Sequence, residues 1–194
     1  MEKKRIAVLV SGGGTNLQAL IDATHAGVLQ SGELTLVVSS SSKAYALTRA
    51  AEAGIPSAVL TGKSFEPELE ALLKDYQIDL IILAGFMRIL SPAFTARHDR
   101  RILNIHPSLI PAFCGKGYYG LRVHEAALAR GVKVTGATVH FVNEIPDGGE
   151  ILLQKAVEVL PDDTPETLQR RVMEQAEWKL LPLAAELVSR GEIK

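Results

Sequence analysis

The sequence predicts an α/β fold in which a doubly wound, mainly parallel sheet carries an antiparallel hairpin late in the chain. Short aliphatic runs, such as Ile6–Val10, are typical of strands that are covered on both faces. These runs alternate with segments of helical periodicity, which favours parallel pairing through crossover connections. Two later strand-like segments are joined by the turn-forming sequence P-D-G-G at residues 146–149, which predicts the hairpin.

The elements follow one another in a regular order. Strands are expected at residues 6–10, 34–38, 58–60, 80–83, 102–106, 134–142 and 150–159. Helices are expected from Leu17, at residues 44–53 and 66–76, from Pro92, at 123–130 and from 165 to about 190. Thr164 is a typical N-cap residue, and Pro165 suits the first turn of the last helix. Pro182 inside that helix predicts a kink or a break.

Length and composition indicate one domain that spans residues 1–194. The 194 residues are 47% hydrophobic, which is enough for one full core. The 21 basic and 22 acidic residues leave no global field that would favour nucleic acid or a membrane surface. One cysteine excludes an internal disulfide and fits a reducing compartment, so we expect a cytoplasmic protein. The first aliphatic run is too short for a signal peptide or a membrane span.

Two polar side chains interrupt the apolar strand at residues 102–106. Asn104 and His106 are two residues apart, so their side chains leave the strand on the same face. Pro107 keeps His106 in an extended conformation. An amide and an imidazole therefore lie side by side at the carboxyl end of a strand, where ligands bind in open α/β sheets. A structural histidine and a turn-forming asparagine are the alternative interpretation.

The sequence S-G-G-G-T-N at residues 11–16 lies between a strand and a helix. Glycines there allow backbone N–H groups to approach an anion, which the helix dipole also favours. The segment lacks the lysine of a nucleotide P-loop and the third glycine of a dinucleotide fingerprint. We therefore expect it to bind a single phosphate monoester, and the alternative is a plain turn with Thr15 or Asn16 as the helix cap.

Asp147 is a candidate third member of the polar group. Asp-Gly is a common turn signal, so the residue could serve the hairpin turn alone. If the turn reaches His106, the carboxylate favours the protonated imidazole and raises its pKa.

Cysteine and metal chemistry are weaker candidates. Cys114 could pair with His106 or His124 as a nucleophile, although an unreactive cysteine in a loop is the commoner case. The histidines show no metal-ligand spacing, and the H-E-x-x-H motif is absent. We therefore expect no metal.

Four motifs together resemble a known family. S-G-G-G-T-N-L, A-G-F-M-R-I-L-S-P, L-N-I-H-P-S-L-I-P and H-F-V-N-E-I-P-D-G-G stand in the order and spacing of the phosphoribosylglycinamide formyltransferases, folate-dependent enzymes of purine biosynthesis. The likeness extends from Ile6 to about Leu183. The N-x-H-P-S core is shared with other folate formyl-handling enzymes, whereas the first glycine loop and the compact length are similar to this family.

The resemblance implies a function for each matching residue. Asn104, His106 and Asp147 match the catalytic trio. Gly14, Thr15 and Asn16 match the phosphate loop, and Glu174 and Glu177 match positions on the last helix that contact the ribonucleotide. Met87, Arg88, Ile89 and Leu90, with Asn104, match the lining of the folate pocket, and Asn143, Glu144, Ile145, Pro146 and Asp147 match the loop over the pteridine.

Three positions depart from the family pattern. Where a basic residue often contacts the folate tail, this chain has Glu66, Pro67 and Glu68, and Lys63 is a candidate replacement. Arg122 stands where the first histidine of P-G-L-H-x-H falls. The last helix reads E-W-x-x-L-P where E-H-x-x-Y-P is usual.

The resemblance implies direct formyl transfer from 10-formyltetrahydrofolate, used as co-substrate, to the amine of 5-phosphoribosylglycinamide. Protonated His106 and the Asn104 amide would stabilise the oxyanion, and Asp147 would hold the imidazolium and help to move the proton. The expected partners are these small molecules, with no nucleic acid or membrane, and a homodimer is compatible with the sequence.

Three other functions are compatible with parts of the sequence. A formyltetrahydrofolate deformylase would use water in place of the amine, but that family carries an extra N-terminal domain, and this chain begins with its first strand. A methionyl-tRNA formyltransferase would normally add a C-terminal domain and a basic surface. A catalytically silent module that binds a phosphate ligand is the alternative from a different class.

Overall fold

The computed structural model describes residues 2–193 and is built on one seven-stranded sheet. The strands are β1 (Lys4–Val10), β2 (Gly32–Ser39), β3 (Ser57–Val59), β4 (Leu80–Leu83), β5 (Ile102–His106), β6 (Val134–Phe141) and β7 (Ile151–Glu158). Their order in the sheet is β3-β2-β1-β4-β5-β6-β7. The first five pair in parallel, whereas β6 is antiparallel to both β5 and β7. The predicted mainly parallel sheet with a late hairpin is confirmed.

Helices cover both faces of this sheet. They are α1 (Thr15–His25), α2 (Ala46–Glu52), α3 (Phe65–Asp75), α4 (Pro92–Arg97), α5 (Leu121–Arg130), α6 (Pro165–Val172) and α7 (Trp178–Ser189). Because side chains alternate across a strand, Val8 of β1 packs on one face with α1, α6 and α7, and Leu9 packs on the other with α3 and α4. The aliphatic runs of the sequence are therefore the buried strands that the pattern predicted.

The strand order places a topological switch point in the middle of the sheet. The chain leaves β1 towards β2 on one side, and it leaves β4 towards β5 on the other. Between two such strands the following loops separate and leave a crevice at the carboxyl ends. The loops after β1, β4 and β5 all lie at this edge, and they contain the glycine loop, residues 87–90 and the segment that follows His106.

The last helical segment differs from the sequence prediction. A kink or a break was expected at Pro182; the break is wrong, because α7 continues through Pro182, and a π-helical turn lies before α7, at Met173–Glu177. A proline ring conflicts with the carbonyl four residues earlier, here that of Trp178, the first residue of α7. The π-helical turn, which is wider than an α-helical one, ends directly before that residue.

In the part of the chain that the structure describes, no helix is both long and apolar enough to cross a membrane.

Candidate active site

Asn104 and His106 lie on one face of β5, and a loop from the hairpin brings Asp147 to them. The loop between β6 and β7 is anchored near the start of β5, where Arg100 forms an ion pair with Glu150. Its tip folds back over the sheet, so that Asp147 Oδ2 lies 3.6 Å from His106 Nδ1. The structure therefore brings together the three residues that sequence spacing alone could not place in contact.

Backbone contacts define which nitrogen of His106 carries a proton. His106 Nε2 lies 2.9 Å from the carbonyl oxygen of Phe113, which can only accept, so Nε2 carries a hydrogen. The other nitrogen, Nδ1, faces Asp147. Protonation of His106 therefore takes place at Nδ1, next to the carboxylate. Phe113 acts through its backbone, so no side-chain pattern in the sequence could indicate it.

Burial and Asp147 act on His106 in opposite directions. Burial disfavours the charged imidazole and lowers the pKa of His106, and the nearby charge of Asp147 and the Phe113 carbonyl only partly oppose it. The net pKa lies below its ordinary value. The direction predicted for the Asp147 contribution is confirmed, but burial has the larger effect, and the sequence pattern did not predict it.

Asp147 is held in its ionised form. Burial by itself raises the pKa of this carboxyl, but polar contacts, among them the charge of His106 and the N–H of Gly115, outweigh burial and lower it. The Gly115 N–H donates to Oδ2 over 2.8 Å. The site therefore keeps a partly buried carboxylate beside a histidine that is free to accept a proton.

His140 is a member of this site that the sequence pattern did not predict. It pairs with Asn104 across β5 and β6, and its Nε2 lies 3.1 Å from Asn104 Nδ2. Only the antiparallel register shows this contact. From the sequence alone, the only function examined for His140 was metal binding, and its spacing from the other histidines did not support it.

The thiol alternative finds little support in the structure. Burial, and then the negative charge of Asp147, raise the pKa of the Cys114 thiol and so disfavour the thiolate. His124 is fully buried, and its pKa is lowered to about 4, first by burial and then by the charge of His106. Neither ring nitrogen of His124 has a hydrogen-bond partner within residues 2–193.

A cavity of about 140 Å³ opens beside Asn104 and Asp147. Its lining includes most of the residues expected at the folate pocket: Arg88, Ile89, Leu90, Asn104, Asn143, Glu144, Pro146 and Asp147. Met87 and Ile145 lie outside the lining and are more than half exposed. A second cavity of about 490 Å³ is also lined by Ile89 and Leu90, and by Lys63. The two cavities therefore adjoin each other.

The Arg88 guanidinium is used within the fold. It donates to the carbonyl oxygens of Leu60, Thr61 and Gly62, and it lies 4.3 Å from the centre of the Phe65 ring. Arg88 therefore lines the cavity while its charged group holds the loop after β3.

The glycine loop forms the N-terminal end of α1. Gly14 is the N-cap residue, with a left-handed φ of 73°, and α1 begins at Thr15. Because the first N–H groups of a helix have no acceptor within the helix, they are available to an anion. Asn16 Nδ2 donates to the Glu177 carboxylate over 2.8 Å. The glycine loop is thereby joined to the π-helical turn.

Glu174 and Glu177 differ sharply in exposure, although both lie on that turn. Glu174 is exposed, whereas Glu177 is 6% exposed, and burial raises the pKa of its carboxyl to about 7 despite the hydrogen bond from Asn16. Of the two, Glu177 is the one that contacts the glycine loop.

We expect two neighbouring glycines to respond differently to substitution. A Cβ at Gly14 would lie 2.6 Å from Ala46 Cβ and would need a left-handed φ, so Gly14→Ala should lower the free energy of unfolding by about 1–3 kcal/mol. A Cβ at Gly13 would meet no atom within 4 Å, so Gly13→Ala should stay within about 0.5 kcal/mol of the parent. Urea unfolding of both variants tests this, and equal losses would contradict it.

No group of three or more His, Cys, Asp or Glu side chains within residues 2–193 is arranged to hold a metal ion.

Comparisons with known proteins show the family of the chain. Residues 4–185 match the family model described as formyl transferase. The chain is 44% identical to phosphoribosylglycinamide formyltransferase of Haemophilus influenzae over 98% of its length and 90% of that protein. It is also 44% identical to the human trifunctional purine biosynthetic protein adenosine-3, but it spans only 19% of that longer chain.

Solved structures give the same result. The chain superimposes on glycinamide ribonucleotide transformylase 1 from Symbiobacterium toebii with a TM-score of 0.89 and 42% identity, over 97% of this chain and 89% of that one. A formyltetrahydrofolate deformylase from Pseudomonas syringae has a TM-score of 0.89 but 26% identity, and this chain covers 63% of it. The chain therefore belongs to the formyl transferase family, among the phosphoribosylglycinamide formyltransferases.

Proposed function

We propose that the chain transfers the formyl group of 10-formyltetrahydrofolate to the amine of 5-phosphoribosylglycinamide. The observation that supports this most directly is the meeting of Asn104, His106 and Asp147 beside an apolar cavity. An amide donor, a histidine that can take a proton and a carboxylate are the groups that direct acyl transfer to an amine needs.

In the proposed reaction the amine nitrogen attacks the formyl carbon, and the carbonyl oxygen becomes an oxyanion. Asn104 Nδ2 and the protonated Nδ1 of His106 donate to that oxygen. The bond between the formyl carbon and the folate nitrogen then breaks. The amine loses one proton and the folate nitrogen gains one. The His106–Asp147 pair carries this proton from the amine to the folate nitrogen, so the pair has no net gain or loss of protons. The carboxylate of Asp147 stabilises the imidazolium while it exists.

The ribonucleotide and the folate occupy different parts of the crevice in this proposal. The phosphate binds the N–H groups at Gly14, Thr15 and Asn16, and the buried Glu177 holds Asn16 in place. Glu174, which is exposed, contributes less. The folate lies in the cavity lined by residues 88–90 and 143–147, and its tail extends towards Lys63.

The proposal predicts a separation of the two ligands. Gly13→Ala should weaken ribonucleotide binding and spare folate binding, because the added methyl group meets no atom of the protein within 4 Å and lies beside the N–H groups that bind the phosphate in this proposal. Calorimetric titration with each ligand tests this. Equal losses for both ligands would mean that the loop is merely structural.

The activity test separates the alternatives. Purified protein is mixed with 10-formyltetrahydrofolate, with and without 5-phosphoribosylglycinamide, and both formylated ribonucleotide and formate are measured. The proposal expects formylated ribonucleotide. Formate in the absence of the amine would indicate a deformylase, and binding without either product would indicate a silent module. The cytoplasmic location, the homodimer and the single domain over residues 1–194 stay predictions.

A further inference from the structure

The orientation of the Asn104 amide decides whether it can donate to an oxyanion. An asparagine side chain has an NH₂ group at one end and a carbonyl oxygen at the other, and a rotation of 180° exchanges them. Only the NH₂ end can stabilise a negative charge. The surroundings of Asn104 must therefore select one of two orientations that are nearly equal in shape.

His140 has a hydrogen-bond pattern that fixes its own tautomer. Its Nδ1 lies 2.7 Å from the carbonyl oxygen of Phe141, which can only accept, so Nδ1 carries the hydrogen. In a neutral imidazole Nε2 is then bare and can only accept. The residue is 1% exposed, so the protein rather than solvent supplies its partners.

Asn104 Nδ2 lies 3.1 Å from that bare nitrogen. An N–H on His140 Nε2 would point at the hydrogens of the amide, so the contact requires the NH₂ end of Asn104 to face an unprotonated nitrogen. Asp147 favours the same orientation, because its Oδ1 lies 3.5 Å from Asn104 Nδ2. If the amide were rotated, Asn104 Oδ1 would face Asp147 Oδ1, and both oxygens are acceptors.

The competing pairing, a charged His140 with Asp147, fits the distances less well. His140 Nε2 lies 3.6 Å from Asp147 Oδ1, whereas Asn104 Nδ2 is nearer, at the hydrogen-bond distance of 3.1 Å. We propose that His140 is a positioning residue whose bare Nε2 holds the Asn104 amide with its NH₂ group towards the reacting formyl oxygen. This inference rests on the proposed function. One amide hydrogen binds His140, and the other, which faces Asp147 Oδ1 over the longer distance of 3.5 Å, is the one that donates to the oxyanion in this proposal.

Two substitutions of His140 separate positioning from simple packing. His140→Leu keeps an apolar side chain of similar size but removes the acceptor. His140→Gln can place an oxygen acceptor near the position of Nε2. Loss of an oxyanion donor costs about 10²–10³-fold in turnover, so a donor that is present but free to rotate should cost less. We expect kcat to fall about 10-fold in His140→Leu, with an unchanged KM for the ribonucleotide, and to recover substantially in His140→Gln.

A double-mutant cycle with Asn104→Ala gives the sharper test. If His140 acts only through Asn104, His140→Leu should have no further effect on kcat when Asn104 is already alanine. The same fold loss in both backgrounds would overturn the proposal and show that His140 acts independently.

The tautomer itself can be read without any activity. Nitrogen NMR of the ¹⁵N-histidine-labelled protein should show a protonated Nδ1 and a bare Nε2 for His140. A protonated Nε2 would overturn the proposal whatever the enzyme does. An inactive wild-type protein with the expected tautomer would instead contradict the proposed function and leave the arrangement of His140 and Asn104 intact.

Discussion

Replacement of Asp147 by asparagine is expected to lower the turnover of formyl transfer by about 10²–10⁴-fold, the contribution typical of proton-transfer groups. The substitution removes a negative charge and keeps the shape. The turn should survive, because Asp147 has a left-handed φ of 56°, which asparagine adopts as readily as aspartate does. The affinity for the ribonucleotide should change little, since its phosphate binds at the glycine loop.

The same substitution is expected to change the pKa of His106. In the parent, the charge of Asp147 partly opposes the effect of burial on the pKa of His106. Without that charge the pKa should fall further, so that less imidazolium is present at any given pH. NMR titration of His106 checks the direction. Asp162→Asn, which removes a carboxylate on the exposed turn after β7, is the matched control and should leave both turnover and titration unchanged.

A parent-like turnover in Asp147→Asn would contradict the catalytic assignment of Asp147. Only Asn104 and His106 would then remain as candidate catalytic residues. A lowered His106 pKa with normal turnover would mean that the two side chains interact but that the interaction does not limit the reaction.

Replacement of His106 by alanine is expected to reduce turnover by about 10³-fold or more, because one side chain supplies both an oxyanion donor and a proton carrier. His106 is 4% exposed, and its Nε2 donates to the carbonyl oxygen of Phe113, so the truncation also leaves a cavity and removes this hydrogen bond. The loss of stability should be about 1–3 kcal/mol, which thermal unfolding measures. His106→Gln fills more of the space and provides a second variant if the alanine protein folds poorly.

Cys114→Ser is the control for this prediction. The thiol lies 3.3 Å from the carbonyl of Pro111, and a serine hydroxyl can make the same contact. We expect turnover close to that of the parent. Loss of activity in Cys114→Ser with a normal circular dichroism spectrum would point to a thiol mechanism.

Much of the fold could be predicted because buried strands of a parallel sheet have a simple sequence pattern. Ile6–Val10 and Leu80–Leu83 are aliphatic without interruption, and β1 and β4 occupy the centre of the sheet. Asn104 and His106 could also be placed on one face of a strand, since a period of two and a following proline are local properties. The other candidate site residues, in the glycine loop, the last helix and the folate pocket, were predicted from the resemblance to a known family.

The contacts that complete the site depend on distances between segments remote in the sequence. Asp147 and His140 reach β5 only through the register of the hairpin and the return of its loop. Phe113 acts through a backbone carbonyl, which no side chain reveals. The balance of charge and burial at His106 likewise needs the folded structure, because neighbouring residues in the sequence do not determine how deeply a side chain is buried.

The π-helical turn at Met173–Glu177 has an evolutionary consequence. Adding one residue to a regular α-helix rotates everything beyond it by about 100°, which would turn the buried face of α7 towards solvent. A π-helical turn absorbs one extra residue within a single wide loop of backbone, so the helices before and after it keep their phase. The chain can therefore gain or lose one residue at this turn and still bury Leu181 and Ala185 in the same core.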